Sequence, residues 1–191
     1  AIRCGAGIVN VALPRSIYSI VASQVVEPIF TLLDYSQNGE LSPISKTALF
    51  KALTNASACL VGCGLGKSSI TSKIVYDMIS NSEIPLIIDA DGINIVAENI
   101  NILKTVRVPI VLTPHPGEMA RLLSTTVKDV QSHRLEYAKK FAVENNVILV
   151  LKGAGTIIAQ PNGLMHLNVT GNAGMAKAGS GDVLAGMIAS F

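Results

Sequence analysis

Five short aliphatic runs, separated by longer stretches of helical period, constrain this chain more than any other feature. The runs are Ile8 to Leu13, Ala58 to Val61, Pro85 to Ile88, Pro109 to Leu112 and Val147 to Leu151. Helical spacing fills Pro14 to Gln24, Ser42 to Leu53, Ser69 to Asn81, Asn94 to Leu103 and Val127 to Asn145. Such alternation predicts an α/β fold, with helices covering both faces of a mostly parallel sheet. Pro14 and the pair Ser42 and Pro43 read as helix openings, because proline needs no acceptor there and serine caps free amides. Thr156 to Gln160 and Leu164 to Asn168 flank Pro161, Asn162 and Gly163 as the arms of a hairpin, which predicts a short antiparallel excursion. A last helical pattern, Val183 to Phe191, still carries an apolar face where the sequence stops.

Size and composition narrow the function classes. A chain of 191 residues that is 49% hydrophobic and 15% charged is expected to form one packed domain, residues 1–191, without metals or disulfides. Four Phe, four Tyr, no Trp and a net charge of +2 speak against nucleic-acid binding by base stacking or a basic stripe. No apolar run approaches the ~20 residues of a spanning helix, so no membrane role is expected. Cys4, Cys59 and Cys63 are an odd number with no histidine at knuckle spacing. They read as buried thiols in a reducing, cytoplasmic compartment. No secretory leader opens the sequence, and both ends enter or leave structure abruptly, so the domain is expected to be incomplete at both ends.

The polar and glycine-rich segments fall directly after strand candidates, where an open α/β sheet binds its ligands. The strongest is Thr170 to Gly186, with five glycines in seventeen residues. Gly179, Ser180 and Gly181 precede a helical pattern whose first amides can face an anion, and phosphate is the obvious guest. Asp182 then has two open readings, a cap on free amides or a base that takes a proton from an attacking hydroxyl. Gly62, Gly64 and Gly66 lie in "VGCGLGKS", which is not a P-loop: counting from Gly62, only three residues precede Gly-Lys-Ser. The turn either lets a ligand approach the backbone or merely joins strand to helix.

Asp89 and Asp91 follow the third run, and one of them can reach a site while the other holds the turn. Asn94 reads as a polar support. In "TPHPGE", two prolines stiffen the path that carries His115 and Glu118. His133 and His166 make no metal site with His115. Lys152 either enters the crevice as a point charge for phosphate or closes a strand in solvent. The orientation of Lys177 is open.

Taken together, "GCGLG" at Gly62 to Gly66, "IDADGIN" at Ile88 to Asn94, "TPHPGE" at Thr113 to Glu118, "LKG" at Leu151 to Gly153 and "GNAGMAKAGSGDVLAG" at Gly171 to Gly186 resemble the ADP- or ATP-dependent NAD(P)H-hydrate dehydratases. These share a ribokinase-like fold. The resemblance implies repair of hydrated NADH or NADPH: phosphoryl transfer from ADP, or from ATP, turns the hydroxyl into a leaving group before elimination. It implies Asp182 as the general base in contact with substrate, and Ala178, Gly179, Ser180 and Gly181 as an anion hole. Gly64, His115 and Glu118 fall on the substrate side. Lys152, Gly171 and Asn172 fall on the nucleotide side, with Asp89 and Asn94 in support. It further implies Mg²⁺ without a protein-only metal cage, ADP as the preferred donor and a homo-oligomer, a tetramer by expectation. The alternatives are a small-alcohol vitamin-pathway kinase of the same fold, such as a hydroxyethylthiazole-kinase-like protein, and a non-catalytic nucleotide-binding module.

Overall fold

The computed structural model describes residues 1–38 and 41–191. Its centre is a six-stranded sheet with strands in chain order: β3 (Cys59–Val61), β4 (Leu86–Ile88), β5 (Ile110–Leu112), β6 (Ile148–Leu151), β7 (Ile157–Ala159) and β8 (Met165–Leu167). The first four pair in parallel, and β6, β7 and β8 pair antiparallel through the expected hairpin. Parallel strands need covering on both faces, and β4 accordingly has all three of its residues buried. The helices are α3 (Ser69–Asn81), α4 (Asp91–Glu98), α5 (Pro116–Leu122), α6 (Val127–Ser132), α7 (Arg134–Asn145) and α8 (Ser180–Ile188). Ile74, Val75 and Ile79 of α3, Ile93 and Val96 of α4, and Phe141 of α7 join the strand residues in one apolar core.

The N-terminal region pairs β1 (Asn10–Pro14) in parallel with β2 (Ile29–Leu33) as a separate two-stranded sheet. A single 3₁₀ turn, Arg15–Ile17, and α1 (Tyr18–Ala22) join them, and α2 (Ile44–Leu53) follows.

Several expected boundaries move for local reasons. Pro14 has an extended backbone, φ −55° and ψ 132°, so it ends β1 instead of opening a helix. Ser42 does accept the Ile44 amide at 3.3 Å, but Pro43 occupies the cap position of α2 and offers no side-chain acceptor. The helix expected from Asn94 to Leu103 starts earlier, at Asp91. It stops at Glu98 because Asn99, at φ −150° and ψ 77°, leaves the helical region, and a 3₁₀ stretch over Ile100–Thr105 continues the path. His133, at φ −128° and ψ 31°, breaks the expected Val127 to Asn145 helix into α6 and α7. β2 and α5 were not anticipated. Among the described residues, no helix is long and apolar enough to cross a membrane.

Candidate active site

The site forms where β3, β4, β5 and β6 end. Each parallel strand hands the chain to a polar or glycine-rich turn on the same edge: Gly62 after Val61, Asp89 after Ile88, Thr113 after Leu112 and Lys152 after Leu151. Parallel pairing puts all these carboxyl ends together, which is how residues far apart in sequence meet.

Close backbone approach fixes the first two turns. A Cβ on Gly62 would stand 1.9 Å from the Asp89 carbonyl oxygen and 2.6 Å from the Gly92 nitrogen, and Gly62 adopts φ +126°. Only glycine fits there. The Asp89 amide donates to the Val61 carbonyl at 3.1 Å, and the Asp89 carbonyl accepts the Gly92 amide at 3.0 Å. Ala90 between the two aspartates has φ 50° and ψ −119°, a strained conformation for a residue with a Cβ. Asp91 turns away from Asp89 and accepts the Gly66 amide at 2.9 Å, so it holds the glycine turn. Asn94 accepts from Arg121 at 3.0 Å and ties α4 to α5.

The charges converge on Lys152. Its ammonium donates to Asp89 Oδ1 at 2.8 Å and lies 3.9 Å from Glu118 Oε2, in a largely buried setting. The Lys152 amide donates to the Pro114 carbonyl at 2.8 Å, which joins the turn after β6 to the one after β5. Glu118 is buried and points inward, where its Oε2 accepts the His115 amide at 2.8 Å. Burial is the main force raising its pKa, opposed by that hydrogen bond and by Lys152 and His115. His115 Nδ1 in turn accepts the amides of Gly117 and Glu118 at 3.0 and 3.3 Å. His115 and Glu118 therefore build a capping box that starts α5. Half of the imidazole remains exposed, with its Nε2 3.4 Å from Glu118 Oε1.

Helix α8 brings the glycine-rich segment to this cluster. Gly179 caps it at φ +84°, and the amides of its first turn have no acceptor within the helix. A Cβ on Gly181 would lie 3.3 Å from Lys152 Nζ and 3.9 Å from Asp89 Oδ2, so the helix start abuts the ion pair. Asp182 in that first turn is exposed, and ligand atoms of Cys63, Asp89 and Asp182 all lie within 4.8 Å of one another. Ser180 Oγ donates to the Met175 carbonyl at 2.8 Å and pins the preceding 3₁₀ turn, Ala173–Met175, to α8.

Gly64, Gly171, Asn172 and Ala178 complete the set of expected residues. Gly64 is open, with φ +65° and nothing near its missing Cβ. Gly171 packs on the Met175 sulfur, and Asn172 accepts the Gly174 amide at 2.9 Å, so their contacts are local. Ala178 and Lys177 are exposed.

Cys63 corrects an expectation. The three cysteines read as buried thiols, but Cys4 and Cys59 are half-buried and Cys63 is exposed. The unusual backbone of Gly62 swings Cys63 off the sheet and onto the two carboxylates, with Sγ 3.9 Å from Asp89 Oδ2. Although the residue as a whole is exposed, its thiol is partly withdrawn from water against the turn; that desolvation first, and then the charges of Asp89 and Asp182, outweigh Lys152 and push its pKa up to about 12. The thiol therefore stays protonated at neutral pH. That chemistry fits a magnesium cage poorly: Mg²⁺ wants octahedral oxygen ligands, one donor here is a neutral thiol, and Asp89 is already paired with Lys152. A groove of about 460 Å³ between Ile100, Leu122, Phe141 and Asn145 shares no residue with this cluster.

Comparison with known proteins gives this geometry a context. A family profile described as NAD(P)H-hydrate dehydratase matches residues 1–191. The bifunctional NAD(P)H-hydrate repair enzyme Nnr of Moorella thermoacetica is 42% identical over 191 residues, all of this chain and 36% of that protein. Among solved structures, an ADP/ATP-dependent NAD(P)H-hydrate dehydratase from Bacillus subtilis, co-crystallised with ATP/Mg²⁺ and soaked with CoA, superposes with a TM-score of 0.76 at 30% identity. That match covers all of this chain and 65% of that one. A ribokinase-like superfamily protein from Enterococcus faecalis reaches 0.82 at 26% identity, covering all of this chain and 62% of that one. The chain thus spans about a third of the curated relative and under two thirds of the solved ones. Matched by the family profile from its first residue to its last, and carrying the same α/β fold, the chain belongs to the NAD(P)H-hydrate dehydratase family.

Proposed function

We propose that the protein containing this chain dehydrates hydrated NADH or NADPH, using ADP, and ATP as a second choice, as phosphoryl donor. The observation that carries the reading is the meeting of Asp182, the start of α8 and the Lys152 ammonium on one sheet edge. An exposed carboxylate beside an anion-accepting helix start suits proton removal from a hydroxyl that attacks a phosphoryl group. As the substrate oxygen bonds to the terminal phosphorus of ADP, Asp182 accepts the hydroxyl proton and AMP departs. Amides of Ala178 to Gly181 and the Lys152 charge take up the negative charge that builds on the phosphoryl oxygens. Release of phosphate, with loss of a proton from the neighbouring ring carbon, then restores the double bond.

His115 and Gly64 lie on the substrate side in this reading, and Glu118 acts from behind by fixing His115 and Lys152. Gly171 and Asn172 lie on the nucleotide side, and Asp89 and Asn94 support the turns. Mg²⁺ would be held mainly by the phosphates of the nucleotide, where it would neutralise their charge; Cys63, Asp89 and Asp182 do not make an oxygen cage for it. The chain works as one domain in a cytoplasmic homo-oligomer, a tetramer by our reading. Exposed apolar residues such as Val183, Met187 and Phe191 are consistent with further contacts.

The test is an assay of the full-length protein with hydrated NADH or NADPH, a nucleotide and Mg²⁺, following the return of reduced-nicotinamide absorbance and phosphate release together. Equal amounts of both are expected. Stable phosphorylation of a small alcohol without cofactor recovery would instead identify a kinase, and nucleotide binding without turnover would identify a binding module.

A further inference from the structure

The turn after β6 is held from below by a residue that the sequence does not single out. Arg134 opens α7, packed against β6 and β7, and its guanidinium reaches under the chain from Leu151 to Gly155. Nη2 donates to the Gly155 carbonyl at 3.0 Å and to the Leu151 carbonyl at 3.4 Å, while Nη1 donates to Gln131 Oε1 at 3.1 Å. Gly153 lies flat on the guanidinium. A Cβ there would stand 2.5 Å from Nη1, and its φ of +148° already excludes most other residues. Lys152 leaves this turn on the other side, toward Asp89.

The charge of Arg134 is also uncompensated. None of the ion pairs among the described residues includes it, and its acceptors are carbonyl groups and one side-chain amide. Carbonyl acceptors offset the partial desolvation of the guanidinium without neutralising its charge, which leaves that charge available to an anion nearby. An anion resting on the turn would supply the missing countercharge. Hydrogen bonds from a rigid two-pronged donor also fix the turn in a way that a flexible ammonium would not.

We infer that Arg134 is a positioning residue for the nucleotide: it sets the shape of the Lys152 to Gly155 turn and lends its charge to the polyphosphate that the turn receives. The inference rests on the proposed nucleotide-dependent reading. It concerns a residue that touches the turn and acts through it.

The experiment compares Arg134→Gln and Arg134→Lys with wild type in the full-length protein. It uses calorimetric titration with ADP and with ATP, separate KM values for nucleotide and for hydrated NADH, and thermal melting. In Arg134→Gln the Kd and KM for nucleotide should rise about tenfold or more, the size expected for losing charge-assisted hydrogen bonds. The KM for hydrated NADH should change less than threefold. Arg134→Lys keeps the charge but cannot span both carbonyls, so it should fall between the two. If Arg134→Gln does not fold, Arg134→Lys alone carries the test, with a nucleotide Kd raised at least threefold. A nucleotide Kd within twofold of wild type in a folded variant, or an equal rise in both KM values, would overturn the inference. Absence of ADP and ATP binding by the wild type would overturn the functional reading beneath it, a result that the variants are not needed to see.

Discussion

Asp182 and Cys63 illustrate how one side chain can report on another. The thiol is held protonated by burial and by two carboxylates, so it should alkylate slowly although it is exposed. At pH 8 a thiol of pKa about 12 holds roughly a thousandth of the thiolate of one near 9. Iodoacetamide should therefore modify Cys63 at least tenfold more slowly than a free cysteine, followed peptide by peptide in a mass spectrometer. Replacing Asp182 by Asn removes one of the charges that raise the thiol pKa, so the rate at Cys63 should increase in that variant while Cys4 and Cys59 are unaffected. An unchanged rate at Cys63 would place Asp182 away from it and undo the geometry of the site. None of this was legible in the sequence, where Cys63 is one more thiol, set between Gly62 and Gly64. Arg134 was equally hidden, since its role exists only where α7 passes beneath the turn after β6.

At the scale of elements, the sequence was most legible where burial is two-sided. Leu86 to Ile88 and Ile148 to Leu151 have no polar face to disguise them, and their ends shifted by a single residue from those expected. β2 was missed although Ile29, Phe30, Leu32 and Leu33 are apolar; it pairs with β1 in a separate sheet, outside the six-stranded core. α5 was missed because Pro116 and Gly117 read as loop. Its signals were present all the same: proline at the first helical position, and Glu118 three residues after a capping side chain, here a histidine in place of the usual hydroxyl. The glycine turn after β3 offers a test of how elements are joined. Gly62→Ala would drive a methyl into the backbone of Asp89 and Gly92 and should cost on the order of 3 kcal/mol or more of unfolding free energy. Gly64→Ala, with open space around it, pays only for its left-handed backbone and should cost about 1 kcal/mol. Equal losses in urea denaturation of the two variants would show that the close approach of β3 and β4 turns is not as described.

For the whole molecule, the parallel strands β3 to β6 all end on one edge, and α8 returns to that edge after the antiparallel hairpin, which brings Cys63, Asp89, Lys152 and Asp182 together. The order of strands and turns along the sequence anticipated this edge, whereas the partners of each side chain were not legible there. Light scattering of the full-length protein should give a mass near four chains, and a monodisperse monomer at working concentrations would contradict the proposed assembly. In the proposed reaction Asp182 removes a proton during nucleotide-dependent repair, which the coupled assay on Asp182→Asn tests. Asparagine preserves size and leaves α8 intact but cannot accept that proton, and positioned proton transfer commonly contributes ~10²–10⁴-fold to a rate. Cofactor recovery and phosphate release should both fall by about that factor, with ADP binding retained; turnover like that of wild type in a folded Asp182→Asn protein would exclude Asp182 as the base.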